Sequence, residues 1–324
     1  SLNGLRALGI EVFVGHNAAQ ISDAAIVIRS SAIPETNVEI QAARAAGIPV
    51  LERAQALAEL MEGKQSVAVA GTHGKTTTTS MLTVTLQHCG FDPSFSIGAT
   101  VRNSGTNAHH GSGETFIVEA DESDGSFVAY RPSGAIITNI ELDHVDNFAD
   151  IREIDEIFQG FVKTIQPQGF LVICIDDEGN KRLLSTLRSQ SMPSLEIITY
   201  GEDFDADLKL ARLFVTGKEA SARVTFKGRV LGEMKLAISG RHNLFNAAAA
   251  LATALKLGAP AVEAMEGLKL FTGARRRFEV KGVSKGITVI DDYGHHPTEI
   301  RAVHSSIKEL YPFKKNIVVF QPHL

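Results

Sequence analysis

Residues 66–81, SVAVAGTHGKTTTTSM, join a short apolar strand, a glycine turn and the start of a helix, and this succession decides the fold. Gly71 and Gly74 let the backbone approach an anion closely, and the first N–H groups of a helix have no partner within the helix. Lys75 is expected to reach the terminal phosphates of a nucleotide, and the Thr76 hydroxyl is expected to bind Mg²⁺. The stretch therefore predicts a nucleotide phosphate loop.

The loop is a shortened variant of the common pattern, which has a glycine five positions before Gly74, where this chain has Val69. A glycine turn that only happens to precede a helix is the alternative interpretation. The order of strand, Gly-Lys-Thr-Thr and helix favours the phosphate loop, which indicates a nucleotide but does not specify the reaction. Because a lysine that faces phosphates is hydrated without ligand, we expect replacement of Lys75 to remove activity and to change stability little.

The composition restricts the class of protein. The chain has 324 residues, with 44% hydrophobic and 21% charged residues, which is typical of a globular protein of roughly two to three domains. A net charge of -5 argues against nucleic-acid binding, and the sequence has neither a long apolar membrane span nor a signal peptide. Cys89 and Cys174 both lie in apolar stretches, which favours a reducing compartment. We therefore expect a cytoplasmic protein with no nucleic-acid or membrane partner.

Strand and helix signals alternate along most of the chain, which is typical of an α/β fold with a parallel sheet and crossover helices. Residues 1–62 form the first predicted domain, in which 11–16, EVFVGH, is the first strand. Residues 63–272 form the second, in which a hydrophobic period near two from 207 to 238 predicts a small antiparallel meander. Residues 273–324 form the third predicted domain.

The third segment predicts only the beginning of a domain. Its predicted elements are neighbouring parallel strands at 287–293 and 315–320, joined by a helix at 297–311. Two strands and one helix cannot cover both faces of a parallel sheet. We therefore expect the natural protein to continue for about another hundred residues or more beyond Leu324.

Polar residues follow several of the predicted strands. Ser30 and Ser31 come directly after a strand, at the end where open α/β sheets bind ligands, although a helix-capping turn is an equal alternative. Glu119 and His144 lie at or just beyond strand ends on the edge that carries the phosphate loop. Mg²⁺ prefers oxygen ligands, so Glu119 and Thr76 are natural partners, whereas His144 is either a ligand or a hydrogen-bonded histidine.

Six motifs resemble the Mur ligase family when they are taken in their order along the chain. They are GTHGKTTT (71–78), VEADESDGSF (118–127), TNIELDH (138–144), GRHNLFNA (240–247), GARRRFE (273–279) and DDYGHHPTE (291–299). The resemblance implies a Rossmann-like N-terminal domain for a UDP-sugar, a central parallel-sheet P-loop ATPase domain with the meander, and the start of a Rossmann-like C-terminal ligase domain. Against that plan the chain lacks the start of the first domain and most of the third.

The resemblance also implies roles for individual residues. The phosphates of ATP are assigned to Gly71, Thr72, His73, Gly74, Lys75, Thr76 and Thr77, one Mg²⁺ to Thr76 and Glu119, and a second Mg²⁺ to His144, which with Lys75 stabilises the reacting charge. Asn243 and Asn246 are similar to asparagines that bind adenine, with helix N-capping as the alternative. Arg277 and Asp292 are similar to residues that bind ATP and its ribose. Tyr293, His295 and His296 match a motif that packs near ATP and the sugar substrate. The sugar substrate is assigned to Ser30, Ser31, Tyr293 and His295.

The activity that the resemblance implies is ATP-dependent and Mg²⁺-dependent joining of L-alanine to the lactyl carboxylate of UDP-N-acetylmuramate, through an acyl phosphate, in peptidoglycan synthesis. A ligase that joins a whole tripeptide to the same sugar nucleotide is the nearest rival, and Ser123 with Tyr293 and Gly294 favours the alanine reaction. Folate polyglutamating ligases are not expected to carry the SSAI and HHPTE motifs. A non-enzymatic nucleotide-binding regulator is the rival from another class, in which Glu119 and His144 would have no role.

Overall fold

The computed structural model describes residues 2–122, 125–142, 148, 150–190, 194–217 and 219–321. The chain divides into two compact units, Ser1–Glu62 and Gly63–Leu324. Within these described ranges, no helix is both long and apolar enough to cross a membrane.

The first unit contains a small parallel sheet and short helices. Its elements are α1 (Leu2–Ala7), a 3-10 helix (Ala18–Ile21), β1 (Val27–Arg29), α2 (Val38–Ala45), β2 (Val50–Glu52) and α3 (Arg53–Met61). β1 and β2 pair in parallel, as the alternation of strand and helix signals predicts. α2 begins where it does because the Asn37 side chain accepts the backbone N–H of Glu39.

The predicted strand at 11–16 is wrong. These residues have no strand conformation, and the side chains of Phe13 and Val14 are 48% and 81% exposed. An apolar run forms a strand only where a second strand pairs with its backbone. Among the described residues of this unit, the sheet consists of β1 and β2 alone.

A ten-stranded sheet organises the second unit. Its strands are β3 (Gln65–Ala70), β4 (Ser94–Ser96), β5 (Ala108–His109), β6 (Thr115–Glu119), β7 (Gly134–Ile137), β8 (Phe170–Cys174), β9 (Glu196–Gly201), β10 (Leu208–Val215), β11 (Ala220–Phe226) and β12 (Arg229–Leu236). Their spatial order is β12-β11-β10-β9-β8-β7-β3-β6-β4-β5. In this spatial order, each strand from β10 to β4 is parallel to the next. The outer pairs β12–β11, β11–β10 and β4–β5 are antiparallel. The predicted parallel sheet and meander are both confirmed, and the meander extends the central sheet.

Helices pack on this sheet and bury its central strands. They are α4 (Lys75–His88), α5 (Ile151–Lys163), α6 (Glu178–Gln190), α7 (Arg241–Lys256) and α8 (Ala261–Lys269). Val67 and Val69 of β3 join the core formed with α4, α7 and α8, while Ala68 and Ala70 are equally buried on the opposite face of the strand. Burial on both faces explains why β3 is a continuous apolar run without alternation.

The C-terminal part of this unit is a hairpin followed by a helix. β13 (Glu279–Ser284) and β14 (Ile287–Asp291) pair antiparallel, and α9 (Pro297–Leu310) confirms the predicted helix. The predicted strand at 315–320 and its parallel pairing with β14 are wrong. That stretch has no strand conformation in the described chain, and Val319 is 94% exposed. A strand there would leave its backbone groups without the pairing that stabilises a sheet.

Candidate active site

The phosphate loop, residues 71–74, links the end of β3 to the start of α4. Gly71 and Gly74 have φ angles of +130° and +83°, in the region that favours glycine. A Cβ atom on Gly71 would collide with Thr138 Oγ1, and one on Gly74 would lie 2.5 Å from Asn246 Oδ1. Both glycines are therefore needed for this backbone path, and the predicted succession of strand, turn and helix is confirmed.

The segment that follows β7 holds the loop in place. The backbone N–H of His73 donates to Asn139 Oδ1 at 2.8 Å, and Thr138 Oγ1 donates to the His73 carbonyl at 2.6 Å. The Thr72 hydroxyl accepts the Glu141 N–H at 2.9 Å and donates to the Glu141 carbonyl at 3.2 Å. No individual role was predicted for Thr138 or Asn139, although both open the TNIELDH motif and directly follow a buried strand.

Lys75 folds back over the loop and pairs with a buried carboxylate. Its Nζ donates to the Gly71 carbonyl at 2.7 Å, to the Thr72 carbonyl at 3.2 Å and to Glu122 Oε1 at 2.8 Å. The side chains of Lys75 and Glu122 are only 15% and 5% exposed. The expectation that this lysine is hydrated in the absence of ligand is therefore wrong, because Glu122 supplies its counter-charge.

The pKa values of this pair follow from burial and from the two charges. Burial lowers the pKa of the Lys75 ammonium, but the charge and the hydrogen bond of Glu122 outweigh that effect, so the pKa is raised. Burial raises the pKa of the Glu122 carboxyl to about 7, against the lowering effect of Lys75. Lys75 is thus held as an ammonium. The carboxylate form of its partner Glu122 is disfavoured because burial removes the water that would solvate its charge.

Thr76 and Glu119 form an oxygen pair next to the loop. Thr76 Oγ1 donates to Glu119 Oε1 at 2.7 Å, and Glu119 Oε2 accepts the backbone N–H of Gly98 at 2.7 Å. Thr76 lies in the first turn of α4, and Glu119 ends the neighbouring strand β6. Two oxygen ligands this close together suit a hard cation such as Mg²⁺, so the residues present fit the predicted magnesium site.

Asn243 and Asn246 both lie inside α7 and are buried, with 8% and 7% of their surface exposed. Asn243 Nδ2 donates to the Ser239 carbonyl at 2.6 Å, and Asn246 Oδ1 accepts the Thr78 hydroxyl at 3.2 Å. The N-cap of α7 is Gly240, so helix N-capping is excluded as the role of either asparagine. Asn246 instead connects α7 to α4, directly beside the phosphate loop.

Arg277 and Asp292 make contacts within the C-terminal part of the unit. Arg277 donates to Glu299 Oε1 at 3.3 Å. The Asp292 carboxylate accepts the backbone N–H groups of Phe278 and Gly294, both at 2.7 Å. Asp292 therefore links the start of the hairpin to the segment after it, and its predicted contact with a ribose stays a prediction.

Tyr293 and His295 lie near each other after β14, with ring centroids 5.9 Å apart. The guanidinium of Arg276 lies 4.8 Å from the Tyr293 ring centroid, a cation–π distance. His295 donates its backbone N–H to Glu299 Oε2 at 3.2 Å. Both side chains are at least partly accessible, as a substrate contact requires, and their role in substrate binding stays a prediction.

Ser30 and Ser31 lie in the first unit, in an exposed turn directly after β1. Ser30 Oγ accepts the Ala32 N–H at 3.4 Å, and its carbonyl accepts the Ile33 N–H at 2.9 Å. The helix that follows is capped by Asn37, so the helix-capping alternative for the two serines is wrong. His144 and Ser123 lie outside the described residues.

Three family models match the chain. The Mur ligase middle domain matches residues 69–254, the model described as Mur ligase family, catalytic domain matches residues 2–65, and the Mur ligase, glutamate ligase domain matches residues 276–323. The middle-domain match contains the phosphate loop, Glu119 and both asparagines of α7.

Curated relatives match along the whole chain. The UDP-N-acetylmuramate--L-alanine ligase of Salinispora arenicola is 46% identical over 323 residues, which is 100% of this chain and 63% of that protein. The enzyme of the same name from Acidothermus cellulolyticus is 46% identical over 99% of this chain and 67% of its own length. The chain thus spans about two thirds or slightly less of the relatives that it matches.

Solved structures agree with this result. The UDP-N-acetylmuramate-alanine ligase of Thermotoga maritima is 31% identical, with a TM-score of 0.82 over 98% of this chain and 72% of that one. The UDP-N-acetylmuramate:L-alanyl-gamma-D-glutamyl-meso-diaminopimelate ligase of Neisseria meningitides is 30% identical, with a TM-score of 0.74 over 85% of this chain and 87% of that one. The predicted α/β fold is therefore confirmed by structures as well as by the sheet.

Proposed function

Because the chain belongs to the Mur ligase family, we propose that its function is the ATP-dependent joining of L-alanine to the lactyl carboxylate of UDP-N-acetylmuramate, in peptidoglycan synthesis. The observation that carries the proposal is the match at 46% identity, over the whole chain, to ligases of that name. The oxygen pair of Thr76 and Glu119 and the ammonium of Lys75 beside the phosphate loop support it.

The chemistry begins with activation of the carboxylate. A carboxylate is a poor electrophile until one of its oxygens becomes a leaving group, so its oxygen attacks the terminal phosphorus of ATP, which releases ADP and gives an acyl phosphate. The amine of alanine then attacks the acyl carbon, phosphate leaves, and an amide remains. The protein contributes mainly placement of the reactants and compensation of charge.

Lys75 supplies part of that compensation in this proposal. Its ammonium contacts the loop carbonyls of Gly71 and Thr72, so a triphosphate in the loop lies within its reach. The N–H groups of the first turn of α4 add further donors. Thr76 and Glu119 would hold Mg²⁺, which when bound neutralises the triphosphate. His144 remains the predicted ligand of a second Mg²⁺.

The remaining assignments concern recognition. Asn243 and Asn246 are proposed to bind adenine, since an amide can both donate to and accept from that base. Arg277 is proposed to contact ATP and Asp292 its ribose. The sugar substrate is assigned to Ser30, Ser31, Tyr293 and His295. The two cysteines of the chain are free thiols, which agrees with a cytoplasmic location for the proposed reaction.

The tripeptide reaction is the second candidate, because the Neisseria meningitides ligase has 30% identity, close to the 31% of the Thermotoga maritima enzyme. A coupled assay of ADP release separates the two. We expect ADP release that requires Mg²⁺, UDP-N-acetylmuramate and L-alanine together, with little release when the tripeptide L-alanyl-gamma-D-glutamyl-meso-diaminopimelate replaces alanine. ADP release that requires the tripeptide instead of alanine would establish the second candidate. ATP binding without turnover of either substrate would favour a regulator.

A further inference from the structure

Three side chains from separate segments of the second unit converge beside the phosphate loop. They are His73 in the loop, Glu141 after β7 and His296 immediately before α9, and one potential ligand atom from each lies within 4.8 Å of the others. We propose that these residues form a binding site for a transition-metal cation of the Zn²⁺ type, distinct from the magnesium pair of Thr76 and Glu119. Two imidazoles and one carboxylate are a donor set that zinc takes in proteins, whereas Mg²⁺ prefers oxygen alone.

The distances are close to those of a metal site. Glu141 Oε2 lies 3.5 Å from His73 Nε2 and 3.9 Å from His296 Nδ1. In a tetrahedral zinc site with bonds of about 2.0–2.1 Å, neighbouring ligand atoms are about 3.3 Å apart. Small side-chain movements therefore suffice to bring both pairs to ligand spacing. The His73 and His296 rings are already neighbours, with centroids 4.5 Å apart.

His73 is the member that most requires a partner. Its side chain is 11% exposed, and neither ring nitrogen has a hydrogen-bond partner among the described residues. A buried polar atom without a partner is unfavourable, and such atoms in native proteins usually have a functional reason. A cation bound at Nε2 would satisfy one of the two nitrogens.

The surroundings of the cluster resemble the outer shell of a metal site. Glu299 Oε1 lies 3.7 Å from His73 Nδ1, on the ring nitrogen that would face away from the cation. A carboxylate in that position orients a metal-bound histidine and increases its basicity. The Thr298 hydroxyl donates to Glu141 Oε2 at 2.8 Å and so fixes the third ligand.

The charges also favour a cation. Glu141 and Glu299 bring two carboxylates to the cluster, and Arg277, 3.3 Å from Glu299, is the one cation that pairs with either of them among the described residues, apart from the histidines themselves. His296 Nδ1 currently accepts the Thr298 N–H at 3.3 Å, a long hydrogen bond that metal binding would replace. Without this bond the Thr298 N–H loses its acceptor. This N–H lies in the first turn of α9, where such groups have no partner within the helix in any case.

The test uses Co²⁺ as the probe, because it occupies zinc-type sites and its visible absorption is much stronger in a tetrahedral site than in water. The protein is titrated with Co²⁺ in excess Mg²⁺, which fills oxygen-only sites. We expect one Co²⁺ to bind per protein and Zn²⁺ to displace it. His296→Ala and Glu141→Gln each remove one ligand and are expected to weaken Co²⁺ binding by about a hundredfold or more. Thr298→Val keeps all three ligands and is expected to weaken it by about tenfold, the usual size for an outer-shell partner.

Two variants serve as matched controls. His295→Ala removes the neighbouring histidine, whose ring nitrogen lies 3.3 Å from the Tyr293 carbonyl outside the cluster, and Glu119→Gln alters the magnesium pair. Both are expected to bind Co²⁺ as the unaltered protein does, and circular dichroism melting without metal establishes that each variant is folded. Absence of stoichiometric Co²⁺ binding, unchanged affinity in folded His296→Ala, or loss of binding in Glu119→Gln would each overturn the proposal.

Discussion

Lys75 Nζ lies 2.8 Å from Glu122 Oε1 at the edge of the phosphate loop, and both side chains are largely buried. The cation assigned to the phosphates therefore already has a counter-charge within the chain. A nucleotide that binds in the loop must compete with Glu122 for this ammonium or share it. The pair thus links the stability of the loop to the function proposed for it.

The first prediction concerns the stability of this pair. Glu122→Leu leaves the Lys75 ammonium buried without its counter-charge and is expected to lower the free energy of unfolding by about 3 to 5 kcal/mol. Adding Lys75→Met to that variant is expected to recover most of the loss, because the double variant contains no unpaired charge. Urea unfolding of both single variants and the double variant, without nucleotide, measures the coupling. Additive losses would mean that the two residues do not act as a pair.

Loss of Lys75 is also expected to remove activity. Without the ammonium, the charge that develops on the transferred phosphoryl group is poorly neutralised, and Lys75→Met is expected to reduce kcat for ADP release by about a thousandfold. Lys227→Met is the control, because that lysine pairs with Glu196 at the exposed side of the meander. Near-normal turnover by Lys75→Met would end the phosphate-loop assignment.

The magnesium assignment predicts coupled effects of Thr76 and Glu119. Thr76→Val and Glu119→Gln each remove an oxygen ligand and are expected to raise the Mg²⁺ concentration needed for half-maximal activity. Because both side chains serve one cation, the double variant is expected to be less impaired than the sum of the single effects. A Mg²⁺ titration that neither change alters would remove both residues from the metal site.

Recognition of adenine is tested at Asn246. Asn246→Asp replaces an amide donor with a negative charge and is expected to weaken the binding of ATP relative to GTP by about 1 to 3 kcal/mol, or about fivefold to 150-fold. The measurement is kcat/KM for both nucleotides. If the preference for ATP survives the change, the role of Asn246 is structural, through its hydrogen bond with Thr78 and its contact with Gly74.

The two thiols are expected to differ in reactivity. Burial raises the pKa of Cys174 to about 12, so near neutral pH the native protein holds almost no thiolate at this position. Since the thiolate is the nucleophile, Cys174 in a Cys89→Ser variant is expected to resist iodoacetamide at pH 8 until the protein is unfolded with urea. Mass spectrometry counts the modified thiols. Rapid modification of Cys174 under native conditions would show that the central sheet opens readily.

Much of the site was predictable because its parts are local in sequence. The apolar run of β3, the two glycines and Lys75 with Thr76 lie within sixteen consecutive residues, 66–81, so their geometry follows from one strand, one turn and one helix. The resemblance to the Mur ligase family, which the family models and relatives confirm, rests on motifs of the same local kind. Strand periodicity likewise predicted the meander, since each of its strands pairs with its neighbour in sequence.

The sequence alone determined the class of this protein, the position of its phosphate loop and the strand and helix on either side of that loop, because these depend on short-range patterns of apolar residues, glycine and charge. Only the tertiary structure decided which distant residues meet. Glu122 joins Lys75 from 47 positions away, and Thr298 joins Glu141 from 157 positions away. The apolar runs at 11–16 and 315–320 are equally short-range patterns, yet they form no strands in the described chain, because a strand depends on a partner that the pattern itself does not contain.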